Sequence, residues 1–464
     1  MSESFFKTLA ESTDRPAAVV VGVQLPGVDE AELDSSLTEL ERLAKTLGVD
    51  PVGRVTQRRG ALAAGKVLGD GKLKDLAKWT GGTGVVPKYE KPGSSKKDEE
   101  DEEVDEPEQD EEGSAAPTTR AKVVIVDHDL SPTQQRNLER ATGVDVLDRT
   151  SVILEIFHRH AHTREARLQV EIARLKYLAP RLRESAGGAD RVRGGVGGKG
   201  AGESAMELDR RKIRDRIAEL KDELDAIENT SHVRRTRRSD LPTVALVGYT
   251  NAGKSSLMRA LTGSEVYVAD KLFATLDTTV RVLVPRTQPP ILVSDTVGFI
   301  KKLPHDLVAS FRTTLEEAAG ADLLLQVVDA SDAAFRDHMQ VTNEVLNEIG
   351  AISADATMLI LLNKTDRLSD DDKAALAREL PDAVQTSAKQ ADAVASLHDR
   401  IVAHFEGDLE DSDLMVPWAA HRLVHAIHES CRVLSEDHDE IGTHLRIRAS
   451  AATITRLRAA LADA

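Results

Sequence analysis

The spacing of hydrophobic positions changes several times along this chain, and each change predicts a different kind of element. Residues 17–23, AAVVVGV, are a continuous apolar run of strand length. LDSSLTELERLAKTLG then places Leu37, Leu40, Leu43 and Leu47 at helical spacing, with Gly48 as the stop. VGRVTQRRG and KLKDLAKW predict a second strand and helix, and AKVVIVD a third strand. LSPTQQRNLERATG predicts a helix with Ser131 as N-cap and Pro132 in its first position. This alternation predicts a small α/β domain with a largely parallel sheet over residues 17–162.

Two narrower stripes follow. Leu168, Ile172, Leu175, Ala179 and Leu182 repeat at heptad spacing, and so do Ile213, Ile217, Leu220, Leu224 and Ile227. Residues 163–238 therefore predict an antiparallel helical hairpin with the glycine-rich GGVGGKGAGES at its tip. Pro180 should kink the first helix or end it early. From residue 241 the short apolar runs TVALVG, VRVLVP, ILVSD, LLLQVVDA and MLILLN are separated by amphipathic stretches. They predict a doubly wound, mostly parallel sheet over residues 241–407. In residues 411–464, HRLVHAIHESC and ATITRLRAALADA read as helices and THLRIRA as a strand, a small α+β domain.

Composition sharpens this picture in two places. The net charge of −17 argues against a nucleic-acid partner until it is located: residues 98–112 hold twelve carboxylates and no Lys or Arg, so the rest of the chain carries only −5. Residues 151–240 hold 20 Lys and Arg against 15 Asp and Glu, a basic middle hidden by the acidic tract. That tract lies in a Pro/Gly/Ser-flanked segment, residues 87–119, too poor in apolar residues to fold alone. Aromatic residues make up 3% of the chain, so any RNA surface must rely on cations more than on base stacking. A single cysteine, Cys431, excludes an intramolecular disulfide. With neither a leader pattern nor an apolar run long enough to span a bilayer, a cytoplasmic monomer is expected.

The chemistry concentrates at strand ends. GYTNAGKSS follows the strand TVALV and fits G-x-x-x-x-G-K-[ST], with Gly248, Gly253, Lys254 and Ser255 in the fixed positions. Such a loop points backbone N–H groups and a helix N-terminus at phosphates, Lys254 reaches the β- and γ-phosphates, and the Ser255 hydroxyl binds Mg²⁺. SDTVGF places Asp295 beside the metal and Gly298 where an N–H meets the γ-phosphate. LLNKTD brings Asn363, Lys364 and Asp366 to the sheet edge, where a carboxylate accepts from N1–H and the 2-amino group of guanine. Adenine offers neither donor, so GTP is preferred to ATP. TSAK places Ser387 and Ala388 behind the guanine O6. GGVGGKGAGES follows a helix, so it is read as a cationic fingertip and excluded as the nucleotide loop. His158, His160 and His162 alternate in FHRHAH, which reads as a solvated or RNA-facing strand end rather than a zinc site.

These motifs, with VLDRTSVILEIFHRHAHTREARLQVEIARLKYLAPRL, ELDRRKIRDRI after the glycine-rich loop, LFATLDTTVR, DTVGFI and LP at 303–304, give the chain a resemblance to the translation-factor-related P-loop GTPases. More closely, nearly the whole chain resembles the HflX family, GTPases that bind the large ribosomal subunit and can split stalled ribosomes. The resemblance implies an α/β architecture: an N-terminal α/β domain plus helical hairpin, a doubly wound P-loop GTPase domain, and a small C-terminal α+β domain. It implies a switch of Phe273, Ala274, Thr275, Leu276 and Asp277 with Thr275 as a Mg²⁺ ligand beside Ser255; the residues alone leave Thr275, Thr278 and Thr279 open. Lys254, Thr275 and Gly298 would then be catalytic, GTP the substrate and Mg²⁺ the cofactor. Tyr249, Thr250, Asn251, Ala252, Thr296, Val297 and Thr365 complete the expected nucleotide contacts.

Phe299 follows DTVG where many GTPases carry a water-positioning Gln, so intrinsic hydrolysis should be slow and stimulated by ribosomes. The implied partner is the large (50S) subunit and its rRNA, met at the basic hairpin tip through Arg191, Arg193, Lys199, Arg210 and Arg211, with Arg181, Arg183, Lys212 and Arg214 close by. The implied role is ribosome splitting or rescue, or a ribosome-linked stress response. The acidic insertion departs from the family pattern, as does Thr278 where many members carry Pro. A GTP-gated regulator that uses the hairpin to bind another protein is the alternative; the hairpin's internal use of its seams weighs against it.

Overall fold

The computed structural model describes residues 14–86, 119–185, 205–238, 241–263, 278–302, 317–352, 357–407 and 409–462, together with 6, 9, 272, 273, 275, 276 and 307. The acidic tract at 98–112, the tip residues Arg191, Arg193 and Lys199, and Ala274 and Asp277 lie outside the described residues, as do the side chains of Leu182 and Arg183. The chain forms two compact units, Met1–Arg159 with Val170–Ala218, and His160–Gln169 with Glu219–Ala464.

The first unit contains β1 (Ala17–Gln24), α1 (Glu30–Leu47), β2 (Asp50–Arg58), α2 (Asp70–Thr80), β3 (Val123–Val126), α3 (Pro132–Thr142), β4 (Asp145–Asp148) and α4 (Arg149–His160). The strands run in the order β2-β1-β3-β4 and every pairing is parallel. Because helices cover such a sheet, its inner strands are apolar on both faces, and all four residues of β3 are buried. Local signals fix the helix starts. Asp29 caps α1 by accepting from Glu32 N, and Ser131 and Gln134 form a reciprocal capping box on α3.

A polar cluster lies at the carboxyl ends of β3 and β4. Arg149 is fully buried and pairs with Glu39 and, at 2.8 Å, with Asp127, which also accepts from Ser36 at 2.7 Å. Asp148, likewise buried, accepts from the Tyr177 hydroxyl at 2.6 Å and from Arg181 at 2.8 Å, and the Arg181 guanidinium lies 3.4 Å over the Tyr177 ring. Arg181 is thus turned inward and is not one of the tip's exposed cations. Desolvation, reinforced by the Asp148 charge, pushes the Tyr177 phenol well above its ordinary range.

Tyr177 and Arg181 belong to α5 (Arg164–Ser185), which is followed by α6 (Ala205–Arg238). Ion pairs Arg164–Glu223 and Arg216–Glu171 share one antiparallel register, which makes the two helices a hairpin. Along the seams Leu168, Ile172 and Leu220 are buried. Pro180 does not end α5: the helix continues to Ser185, and Arg181 Nη1 donates to the Tyr177 carbonyl at 2.9 Å, adding a side-chain bond in the turn that contains the proline. The histidine reading is also corrected. His158 and His160 end helix α4 rather than a strand, so alternate positions diverge by about 200° around the axis. The error has a physical source, because α4 is buried on every side from Arg149 to Phe157 and shows no helical stripe. Among the described residues no three His, Cys, Asp or Glu side chains are grouped to hold a metal.

The second unit carries β5 (Thr243–Gly248), α7 (Lys254–Thr262), β6 (Thr279–Val282), β7 (Leu292–Asp295), β8 (Leu323–Asp329), α8 (Phe335–Glu348), β9 (Thr357–Asn363), α9 (Asp370–Glu379), β10 (Val384–Gln385) and α10 (Ala391–Glu406). Their sheet runs β10-β9-β8-β5-β7-β6, parallel except for β6. β10 is too short to leave a hydrophobic pattern and was not predicted. β11 (Leu409–Pro417), α11 (Arg422–Ser430), β12 (Arg432–His438), β13 (Gly442–Ser450) and α12 (Ala451–Ala462) follow, with an antiparallel sheet ordered β11-β13-β12. β11 and β12 were missed because their charged residues, Asp411, Asp413, Glu436 and Asp437, lie on exposed positions and dilute the apolar signal. Among the described residues no helix is long and apolar enough to cross a membrane.

Arg149 is the test of the first unit. Arg149→Leu leaves Asp127 and Glu39 buried without their cation and should cost about 3–5 kcal/mol. Urea unfolding followed by Trp79 fluorescence, in a Trp418→Phe background that leaves one tryptophan, reads this loss directly. An unchanged midpoint would show that the buried pairs do not stabilise the unit.

Candidate nucleotide site

The carboxyl ends of β5, β7, β9 and β10 converge on a cleft of about 290 Å³, where a doubly wound sheet holds its ligands. Thr250, Lys254, Ser255, Thr275 and Gly298 line one end; Asn363, Lys364, Asp366, Ser387 and Ala388 line the other. The structure therefore brings together motifs separated by more than 130 residues of sequence. Gly248, Tyr249, Ala252, Asp295, Val297 and Thr365 form the buried support beneath this lining. Phe273 and Thr296 also line the cleft, and Leu276 is buried.

At the first end the loop between β5 and α7 is shaped by backbone constraints. Gly253 has φ +100°, and a Cβ there would stand 2.3 Å from Asn363 Nδ2. Gly298 packs so closely on Thr250 that a Cβ would come within 2.9 Å of its Cα and 3.1 Å of Lys254 Nζ. Lys254, at the start of α7, donates from Nζ to the carbonyls of Gly248 and Tyr249, each at 2.9 Å. Two of its three N–H groups are thereby used, leaving one for a ligand. Burial lowers its pKa to about 8, partly opposed by the Asp295 charge.

Three oxygens meet beside it. Ser255 Oγ lies 2.6 Å from Thr275 Oγ1 and donates to Asp295 Oδ2 at 2.7 Å. Asp295 is fully buried, and that burial raises its pKa against the opposing effects of Lys254, Ser255 and Thr275. Asp295 Oδ1 and Thr250 Oγ1 are buried with no hydrogen-bond partner among the described residues. Two hydroxyls, a carboxylate and orphaned oxygens form a hard-oxygen set that fits a small divalent cation such as Mg²⁺. Of the three threonines left open by sequence, Thr275 is the one at Ser255.

The other end is tied to the loop. Asn363 donates to the Ala252 carbonyl at 2.8 Å and accepts from Ala388 N at 3.3 Å. Lys364, at φ +62°, reaches back across the loop to the Asn251 carbonyl and to Asp329, both at 2.7 Å. Thr365 fastens the same turn by donating to the Thr386 carbonyl at 2.9 Å. Asp366 accepts from Ser387 Oγ at 2.7 Å, and this bond, assisted by the charges of Lys389 and Arg367, holds its carboxyl below the ordinary carboxylate range. An ionised carboxylate at a cleft end accepts paired N–H donors and rejects a ring that lacks them.

Sequence reasoning missed Asp329, which the strand-end VVDA could have signalled, and the cleft-lining Ser256, Arg367 and Lys389. It also gave no warning that the Tyr249 side chain turns away from the cleft, where its ring stacks on His338 at 3.9 Å between centroids. Phe299 is likewise turned away, 1% exposed in an apolar cluster with Val247, Leu324 and Leu346.

Comparison with known proteins agrees with this arrangement. Residues 243–364 match the family described as 50S ribosome-binding GTPase, residues 160–238 the GTP-binding GTPase middle region, and residues 34–86 and 108–158 the GTP-binding GTPase N-terminal family. GTPase HflX of Gluconacetobacter diazotrophicus is 57% identical over 447 residues, covering 96% of this chain and 98% of that protein. GTPase HflX of Caldanaerobacter subterraneus subsp. tengcongensis is 35% identical, covering 96% and 94%, and that of Escherichia coli is 38% identical, covering 82% of each. With such identity over nearly its whole length, the chain belongs to the GTPase HflX family.

Proposed function

We propose that this chain binds GTP with Mg²⁺ in the cleft, hydrolyses it to GDP and phosphate, and uses the nucleotide state to govern its association with the large ribosomal subunit. The observation that carries the reading is the union, in one cleft, of a buried cationic end with a carboxylate end held ionised. In this reading the third N–H of Lys254 and the loop amides hold the β- and γ-phosphates. Ser255 and Thr275 would hold Mg²⁺, while Asp295 accepts a hydrogen bond from the Ser255 hydroxyl. A Mg²⁺ ion held there would offset charge on the phosphate oxygens. The Gly298 amide faces the γ-phosphate, and Asp366 reads guanine.

Hydrolysis is slow in the isolated protein because Phe299 is locked in the apolar core and offers nothing to orient water. Ribosomal contact supplies the missing order. Support for that partner comes from the description of the family matched by residues 243–364 and from the basic middle of the chain, where α6 exposes Arg211, Lys212 and Arg214 and half-exposes Arg210. Arg191, Arg193 and Lys199 would extend this cationic surface across the tip. The role we assign is splitting or rescue of ribosomes, or a ribosome-linked stress response, by a cytoplasmic monomer.

Three measurements test this. Asp366→Asn should weaken GTP binding about 100-fold, since two charge-assisted hydrogen bonds are lost, and should favour xanthosine triphosphate, whose 2-oxo group accepts from an amide. Unchanged base preference would remove Asp366 as the guanine reader. For Lys254, phosphate favours the ammonium, so nucleotide binding takes up a proton above the free value of about 8. GDP affinity should therefore be level below pH 8 and fall about tenfold per pH unit above it; a level titration from pH 7 to 9.5 contradicts the assignment. Finally, purified large subunits should raise the GTPase rate by at least about tenfold. Equal rates with and without them would sink the proposed partner.

A further inference from the structure

The segment after Gly298 is fastened to the phosphate loop by more than its backbone. Thr250 N donates to the Phe299 carbonyl at 2.7 Å and Phe299 N to the Gly248 carbonyl at 3.1 Å, so a short parallel bridge joins Tyr249 to Phe299. Two residues further on, Lys301 N donates to the Tyr249 hydroxyl at 2.8 Å. This third bond comes from a side chain and is therefore open to mutation. Lys302 then takes φ +55°, turning the chain out of this docked run.

The tyrosine is itself held. Its ring is 5% exposed and stacks on His338 with an interplanar angle of 13°. Asp337, the neighbour of His338 on α8, pairs with Lys301 Nζ at 2.9 Å. One turn of α8 therefore grips both partners of the Tyr249–Lys301 bond. The docked segment begins at Gly298, which already touches Thr250 and Lys254 as closely as a glycine allows. The Gly298 amide is separated from the docked Phe299 peptide only by the φ and ψ of Gly298, and the close packing of Gly298 on Thr250 and Lys254 leaves those two rotations little room, so displacement of Phe299 to Lys301 is felt at the Gly298 amide.

We infer that Tyr249 is a positioning residue, whose hydroxyl latches the segment after Gly298 to the phosphate loop and so presets the Gly298 amide for the γ-phosphate. This rests on the reading of the cleft as a GTPase site and adds a residue whose side chain does not reach the nucleotide. It predicts a selective effect: GDP has no γ-phosphate and is indifferent to the latch, whereas GTP is not.

Tyr249→Phe tests this in the full-length protein, since it keeps the ring on His338 and deletes only the hydroxyl. The measurements are affinities for GDP and for a non-hydrolysable GTP analogue, together with single-turnover GTP hydrolysis. GDP affinity should stay within about twofold, while analogue affinity and the hydrolysis rate each fall roughly threefold to tenfold, the effect of one lost hydrogen bond. Replacing His338 with Leu, which removes the stack and keeps the hydroxyl, should shift the same GTP-to-GDP ratio less. Wild-type behaviour in Tyr249→Phe, or parallel losses for both nucleotides, overturns the latch. A wild-type protein that neither hydrolyses GTP nor distinguishes the analogue from GDP would instead overturn the underlying GTPase reading.

Discussion

A buried ammonium governs the geometry of the cleft. Lys254 is 6% exposed, and a charge so enclosed is tolerated only if its donors are satisfied and an opposite charge stands near. The Gly248 and Tyr249 carbonyls meet the first need and Asp295 the second. From this the rest follows. The loop must curl so that the Gly248 and Tyr249 carbonyls turn inward onto Nζ. Close packing on Thr250, with Nζ just beyond, leaves no room for a side chain at Gly298. Asp295, desolvated in turn, holds the Ser255 hydroxyl, and Ser255 in turn meets Thr275.

The first unit uses buried charge differently. Arg149 takes up both Asp127 and Glu39, and Arg181 and Tyr177 converge on Asp148. These pairs join helices to strand ends within one unit, and their mutual attraction offsets part of the cost of desolvation. The inward turn of Arg181 also shows how a cation in a basic stretch can serve packing. Charge counts along a sequence do not separate the two uses; the carboxylate partner, 33 residues away in Asp148, does.

Elements whose pattern is set by a single dominant constraint were legible in the sequence. The parallel strands around β3 and β5 are apolar on both faces, and the phosphate loop needs its glycines and lysine at fixed spacing, so both could be read directly. Helix α4 could not, because burial on every side erased the periodicity that marks a helix. Strands β11 and β12 were lost for the opposite reason, their exposed charges breaking the apolar run. Pro180 did not end its helix, which runs on to Ser185. In the cleft, the motif residues were legible, whereas Asp329 and the turn of Tyr249 away from the ligand depend on tertiary contacts with Lys364 and His338.

In the proposed function, the nucleotide in this cleft decides whether the protein engages the large ribosomal subunit. Co-sedimentation of the full-length chain with purified large subunits tests it most directly, comparing a non-hydrolysable GTP analogue with GDP at physiological salt. The protein should pellet with the subunit in the analogue and stay in the supernatant with GDP. Equal partition with both nucleotides, or no pelleting with either, would contradict it.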